Sequence, residues 1–205
     1  GINNTVFGYQ ALQSATGNDY NTAIGYRTLY SISGSDASEG RYNVAVGYQT
    51  GYSTTTGNLN CFVGGNAGYS NTTGQGNTFI GQAAGQNSTT TFGNVYVGYL
   101  SAYYQSVGGE NVAVGNQNLY GSANEANSST ACVAIGFQSA YGSKAGYGVT
   151  AVGRGALRNI AGSGSYTTAV GQTYGYYARG SYNTFTGTLA GPGGITIDPF
   201  HSGQR

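Results

Sequence analysis

The feature that most constrains this chain is a unit, Asn-Val-Ala-Val-Gly-Tyr-Gln-Thr-Gly-Tyr at residues 43–52, whose copies recur from one end to the other. With its first glycine as position 0, copies fall at Gly8, Gly25, Gly47, Gly64, Gly81, Gly98, Gly115, Gly136, Gly153, Gly171 and Gly187. The spacing is 17 residues in most intervals, widens to 22 after Gly25 and 21 after Gly115, and becomes 18 and 16 in the last two. A short fixed period of this kind predicts a solenoid: each repeat is one coil, and no coil can bury its apolar side without its neighbours. The expected fold is therefore all-β, a parallel β-solenoid of about eleven coils over residues 1–191. Insertions at 31–42 and 121–131 read as loops, and 192–205, which holds both prolines, reads as a terminator or linker.

Composition decides between order and disorder. Only 6% of the 205 residues are charged and 38 are glycine, but tyrosine occurs 20 times, and disordered chains avoid aromatic and β-branched residues. A net charge of +1 with no basic run leaves no electrostatic footprint for nucleic acid. No apolar stretch approaches the roughly 18 residues of a spanning helix, so membrane insertion is not expected. Cys61 and Cys132 lie in the fourth and eighth copies. They should stand roughly 19 Å apart along the stack, too far for a bridge that needs Cα atoms within about 7 Å.

Each column of the repeat has a reading. Position −1 is almost uniformly Val or Ile, as in Val46, Val63, Ile80 and Val97, and is expected to face the coil interior. Side chains alternate across a strand, so position −2 should face the other way. That column is also apolar and includes Phe62, Phe79, Tyr96 and Phe185, which makes these four the candidate oligomer-packing face. A strand apolar on both faces needs cover on both. Position −2 also trades volume with +4: Leu29, Leu119 and Leu157 accompany Ala at −2, whereas Phe62, Phe79 and Tyr96 accompany Gly68, Gly85 and Ala102. Asn at −4, in eight copies from Asn4 to Asn183, is expected to stack as an amide ladder. At +5, Tyr30, Tyr52, Tyr69, Tyr103, Tyr120, Tyr141 and Tyr176 should form a column, with a partial second one at +1 of Tyr9, Tyr26, Tyr48, Tyr99 and Phe137. These columns either seal an edge or lie against sugar rings or a partner chain.

Chemistry is sparse. The single histidine, His201, is in the tail, and the six acids are scattered without a paired-carboxylate arrangement. Phosphate-binding, dinucleotide and zinc spacings are missing from the sequence. No catalytic residue, metal site or cofactor is expected, and the chain does not read as an enzyme.

The strings Asn21-Thr22-Ala23-Ile24-Gly25, Asn43-Val44-Ala45-Val46-Gly47 and Val133-Ala134-Ile135-Gly136 resemble the head repeat of trimeric autotransporter adhesins and the similar repeats of phage and large-virus tail fibres. The resemblance spans residues 4–191 and implies a left-handed β-roll in which three chains pack around an axis. On that basis the expected role is a non-catalytic structural or adhesive fibre segment, extracellular or on a cell or virion surface. Its expected partner is itself, as a homotrimer or a head-to-tail polymer; the first copy starts almost at the N-terminus with no capping element before it, which implies missing sequence or an end-to-end neighbour. The alternative is a module binding cell-surface glycans through its tyrosine columns or insertion loops. A third reading, ice binding, meets an objection: Thr5, Thr22, Thr78, Thr150, Thr168 and Thr184 at −3 share the orientation of −1 and would face inward.

Overall fold

The computed structural model describes residues 1–34, 38–122, 128–142, 146–158, 165–172 and 181–187. Every repeat unit forms one three-residue strand at positions −3 to −1. In order these are β1 (Thr5–Phe7), β2 (Thr22–Ile24), β3 (Val44–Val46), β4 (Cys61–Val63), β5 (Thr78–Ile80) and β6 (Val95–Val97). They continue as β7 (Val112–Val114), β8 (Val133–Ile135), β9 (Thr150–Val152), β10 (Thr168–Val170) and β11 (Thr184–Thr186). All eleven lie in one sheet in sequence order, each parallel to the next. The chain is a parallel β-solenoid. Equal repeat positions pair across every step, Ala45 with Phe62 and Phe62 with Phe79. The longer intervals are absorbed outside the strands, since Thr22 still pairs with Val44.

Glycine at position 0 ends each strand for two reasons. Gly64 has φ 124°, which L side chains rarely adopt, and a Cβ there would lie 2.5 Å from the Gly81 carbonyl oxygen. The path then bends through left-handed residues at +2, +4 and −5, such as Gln49 (φ 49°), Leu29 (φ 46°) and Tyr42 (φ 58°). A non-glycine residue in that region costs about 1–2 kcal/mol. Hydrogen bonds to the adjacent coil hold these corners: the Gln49 N–H donates to the Tyr26 carbonyl at 2.8 Å, and the Leu29 N–H to the Thr50 carbonyl at 3.0 Å.

The interior corrects one expectation. Position −2, not −1, faces inward: Ala45, Phe62, Phe79, Tyr96 and Ala113 are fully buried within a single chain, while −1 and −3 are partly or largely exposed. Phe62, Phe79 and Tyr96 are therefore core, not an oligomer-packing face, and Phe185 packs against the same core. The reason is volume. Beside Phe62 and Phe79, a Cβ on Gly68 would meet the Phe62 ring at 2.9 Å and one on Gly85 the Phe79 ring at 2.6 Å. Positions −2 and +4 thus share one pocket per coil, as their sequence exchange suggested, and only the inward face offers such a pocket. Phe62, Phe79 and Tyr96 stack in file, with centroids 5.0 and 4.7 Å apart.

Candidate functional site

Two structures inside the coil take residues out of contention for ligand contact. The first is the asparagine ladder at −4. Asn77 donates its backbone N–H and its side-chain Nδ2 to the Asn60 Oδ1, at 3.1 and 3.2 Å, and Nδ2 also reaches the Thr91 carbonyl at 2.8 Å. The pattern of backbone N–H to amide oxygen runs from Asn4 through Asn111, where the Cys132 N–H closes it at 3.0 Å. From Asn21 to Asn111 these amides are buried and satisfied, which the stacking of identical polar residues in successive coils requires. The second is the position +3 column, where Ser101, Asn118 and Ser139 donate to the −2 carbonyls of the next coil.

Several buried side-chain polar atoms lack a hydrogen-bond partner, among them the Asn118 Oδ1, the Ser129 hydroxyl and the Tyr96 hydroxyl. The Tyr96 hydroxyl is enclosed without a hydrogen bond of good geometry, and burial pushes its ionisation well above the ordinary phenol range despite the nearby Asn111 amide. That amide is already committed to the Asn94 Oδ1 and the Ser129 carbonyl. Burial likewise raises the Cys132 thiol, against backbone hydrogen bonds that act to lower it. Cys61 and Cys132 are both free thiols, Cys61 partly exposed at −3 and Cys132 buried at −4.

The surface presents the sheet's second face and three tyrosine columns. At −1 and −3, Val44, Ile80, Val95, Val114, Ile135 and Val170 are each more than a third exposed, so an apolar, uncharged strip runs the length of the sheet. The six threonines at −3 lie on this strip and face outward, which reverses the inward orientation expected for them.

The +5 column is half-buried and stacked. Tyr30, Tyr52 and Tyr69 form one run with centroids 5.0 and 5.2 Å apart, and Tyr103, Tyr120 and Tyr141 a second at 5.5 and 4.9 Å. Gln86 stands between the runs and donates from Nε2 to the Tyr103 hydroxyl at 3.2 Å. The guanidiniums of Arg27 and Arg158 sit over Tyr30 and Tyr141, both at 5.7 Å. Burial, followed by Tyr104, Tyr141 and Tyr103 nearby, pushes the Tyr120 hydroxyl up to about 12. Tyr176 lies outside the described residues, as do the tail 192–205 and residues 35–37 and 123–127 of the insertions.

At +1, Tyr9, Tyr26 and Tyr48 stack at 5.6 and 5.2 Å and are exposed, and the column then breaks at Gly65 and Gln82 before Tyr99. A third column at −5 was missed: Tyr20 stacks on Tyr42 at 5.0 Å and Tyr166 on Tyr182 at 5.1 Å. Its sequence signal was the same offset before the glycine, interrupted by Leu59 and Gly76. In the +1 and +5 columns a ring between two stacked neighbours, such as Tyr26, Tyr52 or Tyr120, has both faces covered, so it offers solvent its edge and hydroxyl. Only the ring at the end of a run has a face without a stacked ring, and at Tyr30 and Tyr141 a guanidinium lies over the end ring.

No group of three or more His, Cys, Asp or Glu residues able to hold a metal occurs among the described residues. Asp19 is paired with Arg41 at 3.0 Å. No helix among the described residues is long and apolar enough to cross a membrane. Comparison with protein-family models, with curated proteins and with solved structures finds no match.

Proposed function

We propose that this chain is a non-catalytic fibre segment, structural or adhesive, whose coils associate side by side through the outward face of the eleven-stranded sheet. One observation carries this reading: an uncharged strip at −1 and −3, of Val, Ile and Thr with Phe7 and Cys61, in register over every strand and partly or largely exposed within one chain. Parallel sheets are ordinarily covered on both faces, and a contiguous apolar patch of several hundred Å² marks an interaction site. A second copy suits the strip best. Both partners then carry the same period of about 4.8 Å per coil, and no charge opposes contact. The repeat's resemblance to adhesin heads and tail fibres favours three chains around an axis, outside the cell or on a virion.

Cys61 supplies a test, because it lies on this strip at −3 while Cys132 is enclosed. In a parallel, in-register assembly a short bis-maleimide should join Cys61 to Cys61 of another copy, and Cys61→Ser should abolish the product. A purified chain that stays monomeric and gives no crosslink would overturn the reading.

A second reading uses the same strip. Because the −3 threonines point outward, Thr22, Thr78, Thr150 and Thr168 stand on a face with valine and isoleucine that repeats in register from coil to coil, an arrangement suited to ordered water and ice. Thermal hysteresis in a monomeric preparation would favour it, and its absence disposes of it.

A further inference from the structure

The break in the +1 column differs from the other run ends because the coil that follows it carries no side chain in the column. Tyr48 is stacked on Tyr26 through one ring face, 5.2 Å between centroids and 7° between planes. Its other face is directed at the next coil, where the +1 residue is Gly65. Backbone hydrogen bonds place the column in file. The Asn66 N–H donates to the Tyr48 carbonyl at 2.8 Å, the Ala83 N–H to the Gly65 carbonyl at 2.8 Å, and the Leu100 N–H to the Gln82 carbonyl at 3.0 Å. The coil directly beside the Tyr48 ring therefore carries no side chain at +1, and a Cβ built on Gly65 would find nothing within 4 Å. The next coil presents Gln82, which is exposed, and the one after it Tyr99, 49% exposed. Tyr48 is 54% exposed against 36% for Tyr26, which is stacked on both sides.

These residues outline a notch about three coil spacings tall, roughly 14 Å from Tyr48 to Tyr99. Its floor is Gly65, one wall is an aromatic face, and a carboxamide stands opposite. We propose that this notch is a subsite for one neutral pyranose sugar. A pyranose ring has one face rich in C–H groups, which buries apolar area on a tyrosine ring, and its rim hydroxyls need a group that both donates and accepts, as a glutamine amide does. The ring would take the level of Gly65, the only gap in the run from Tyr9 to Gln82, with hydroxyls reaching Gln82. The +1 residues from Tyr48 to Tyr99 include no charged side chain, which fits a neutral sugar and not an acidic sugar or a phosphate. This assignment does not rest on side-by-side association of the sheets, which uses a different column of the repeat.

Gly65 makes the subsite testable without unfolding the coil. Its φ is not in the left-handed region and its Cβ position is open, so Gly65→Tyr should fill the gap and continue the stack above Tyr48. Saturation-transfer NMR with methyl β-galactopyranoside, methyl β-glucopyranoside and methyl α-mannopyranoside should show transfer to at least one of them at millimolar concentration. Tyr48→Ala and Gly65→Tyr should each weaken that binding at least tenfold, with thermal unfolding of Gly65→Tyr no lower than that of the parent. No transfer to any of the three sugars would overturn the proposal, and so would Gly65→Tyr binding as well as the parent. Light scattering on Gly65→Tyr separates a third outcome: a fall in assembly mass would mean that the notch holds a second copy of the chain, which also overturns it.

Discussion

Coils three to seven and coils eight to ten share one sheet and one glycine column but differ at position −4. In the first group asparagines stack without a break, each bonded to the one before it. In the second the column reads Cys132, Val149 and Thr167. Cys132 still reaches the Gly146 carbonyl through Sγ at 3.4 Å, Val149 bonds only through its backbone, and the Thr167 hydroxyl turns to the Ser165 carbonyl at 3.4 Å. The strand register is nevertheless the same, because backbone bonds at this level continue unbroken: the Val133 N–H donates to the Val149 carbonyl at 2.7 Å and the Thr150 N–H to the Thr167 carbonyl at 2.9 Å. Backbone pairing and the position 0 glycine therefore set the stack, and the amide ladder reinforces it.

The largest expected effect tests what the two groups share. Gly64→Val and Gly153→Val should each cost more than about 4 kcal/mol, the range of severe backbone and packing defects. Each glycine has a φ near 125° and lies against the next glycine's backbone. Tolerance of either in denaturant unfolding would mean that the glycine column does not lock the coils. Next comes the shared interior pocket. Phe62→Ala should cost about 3–5 kcal/mol and Gly68→Leu about 1–3 kcal/mol by overpacking. Together they recreate the Ala and Leu pair of coil seven, so the double variant should be more stable than the sum predicts. Strict additivity would deny the pocket.

Asn77→Ala should cost about 2–3 kcal/mol, because it strips partners from buried groups on Asn94 and from the Thr91 carbonyl. Thr167→Ala, at the same position in coil ten, should cost under about 1 kcal/mol. Equal losses would erase the distinction between the two groups. Cys132→Asn should extend the ladder by one rung and raise stability by about 1 kcal/mol, since its Sγ already lies toward the carbonyl that an amide would meet.

The smallest effect is alkaline. Tyr96 and Cys132 are both raised in the folded chain above their ordinary values of 10.0 and 9.0. The unfolded state therefore releases these protons first. The contribution is complete below about pH 9, begins to fall there for Cys132 and at about pH 10 for Tyr96, and is lost as pH rises through the folded values. In a stability profile against pH, Tyr96→Phe should flatten the decline above pH 10, and an unchanged slope would exclude Tyr96 as its source.

The number of coils, their register and the amide ladder were legible because each depends on one residue type returning at a fixed offset. Which strand face turns inward was harder to read, since both −1 and −2 are apolar and alternation alone is symmetric between them. The deciding signal was present in the exchange of volume between −2 and +4. Phe62 with Gly68, against Ala113 with Leu119, means a closed space of fixed size, whereas the uniform Val and Ile of −1 answer to no such partner. That signal should have placed −2 inside. The tyrosines at −5 are hard to see as a column because Leu59, Gly76, Gly93, Glu110, Ala131 and Gly148 separate the two pairs. The free face of Tyr48 depends on what its neighbour lacks, which becomes visible only once the coils are stacked.

Self-association through the outward sheet face is tested most directly by the mass of the purified chain in solution, measured by light scattering beside a Val114→Lys variant. Val114 is exposed on that face, so the substitution should leave the coil folded. A discrete trimer for the parent and a folded monomer for the variant are the expected results. A parent chain that is itself a stable, soluble monomer would contradict the account.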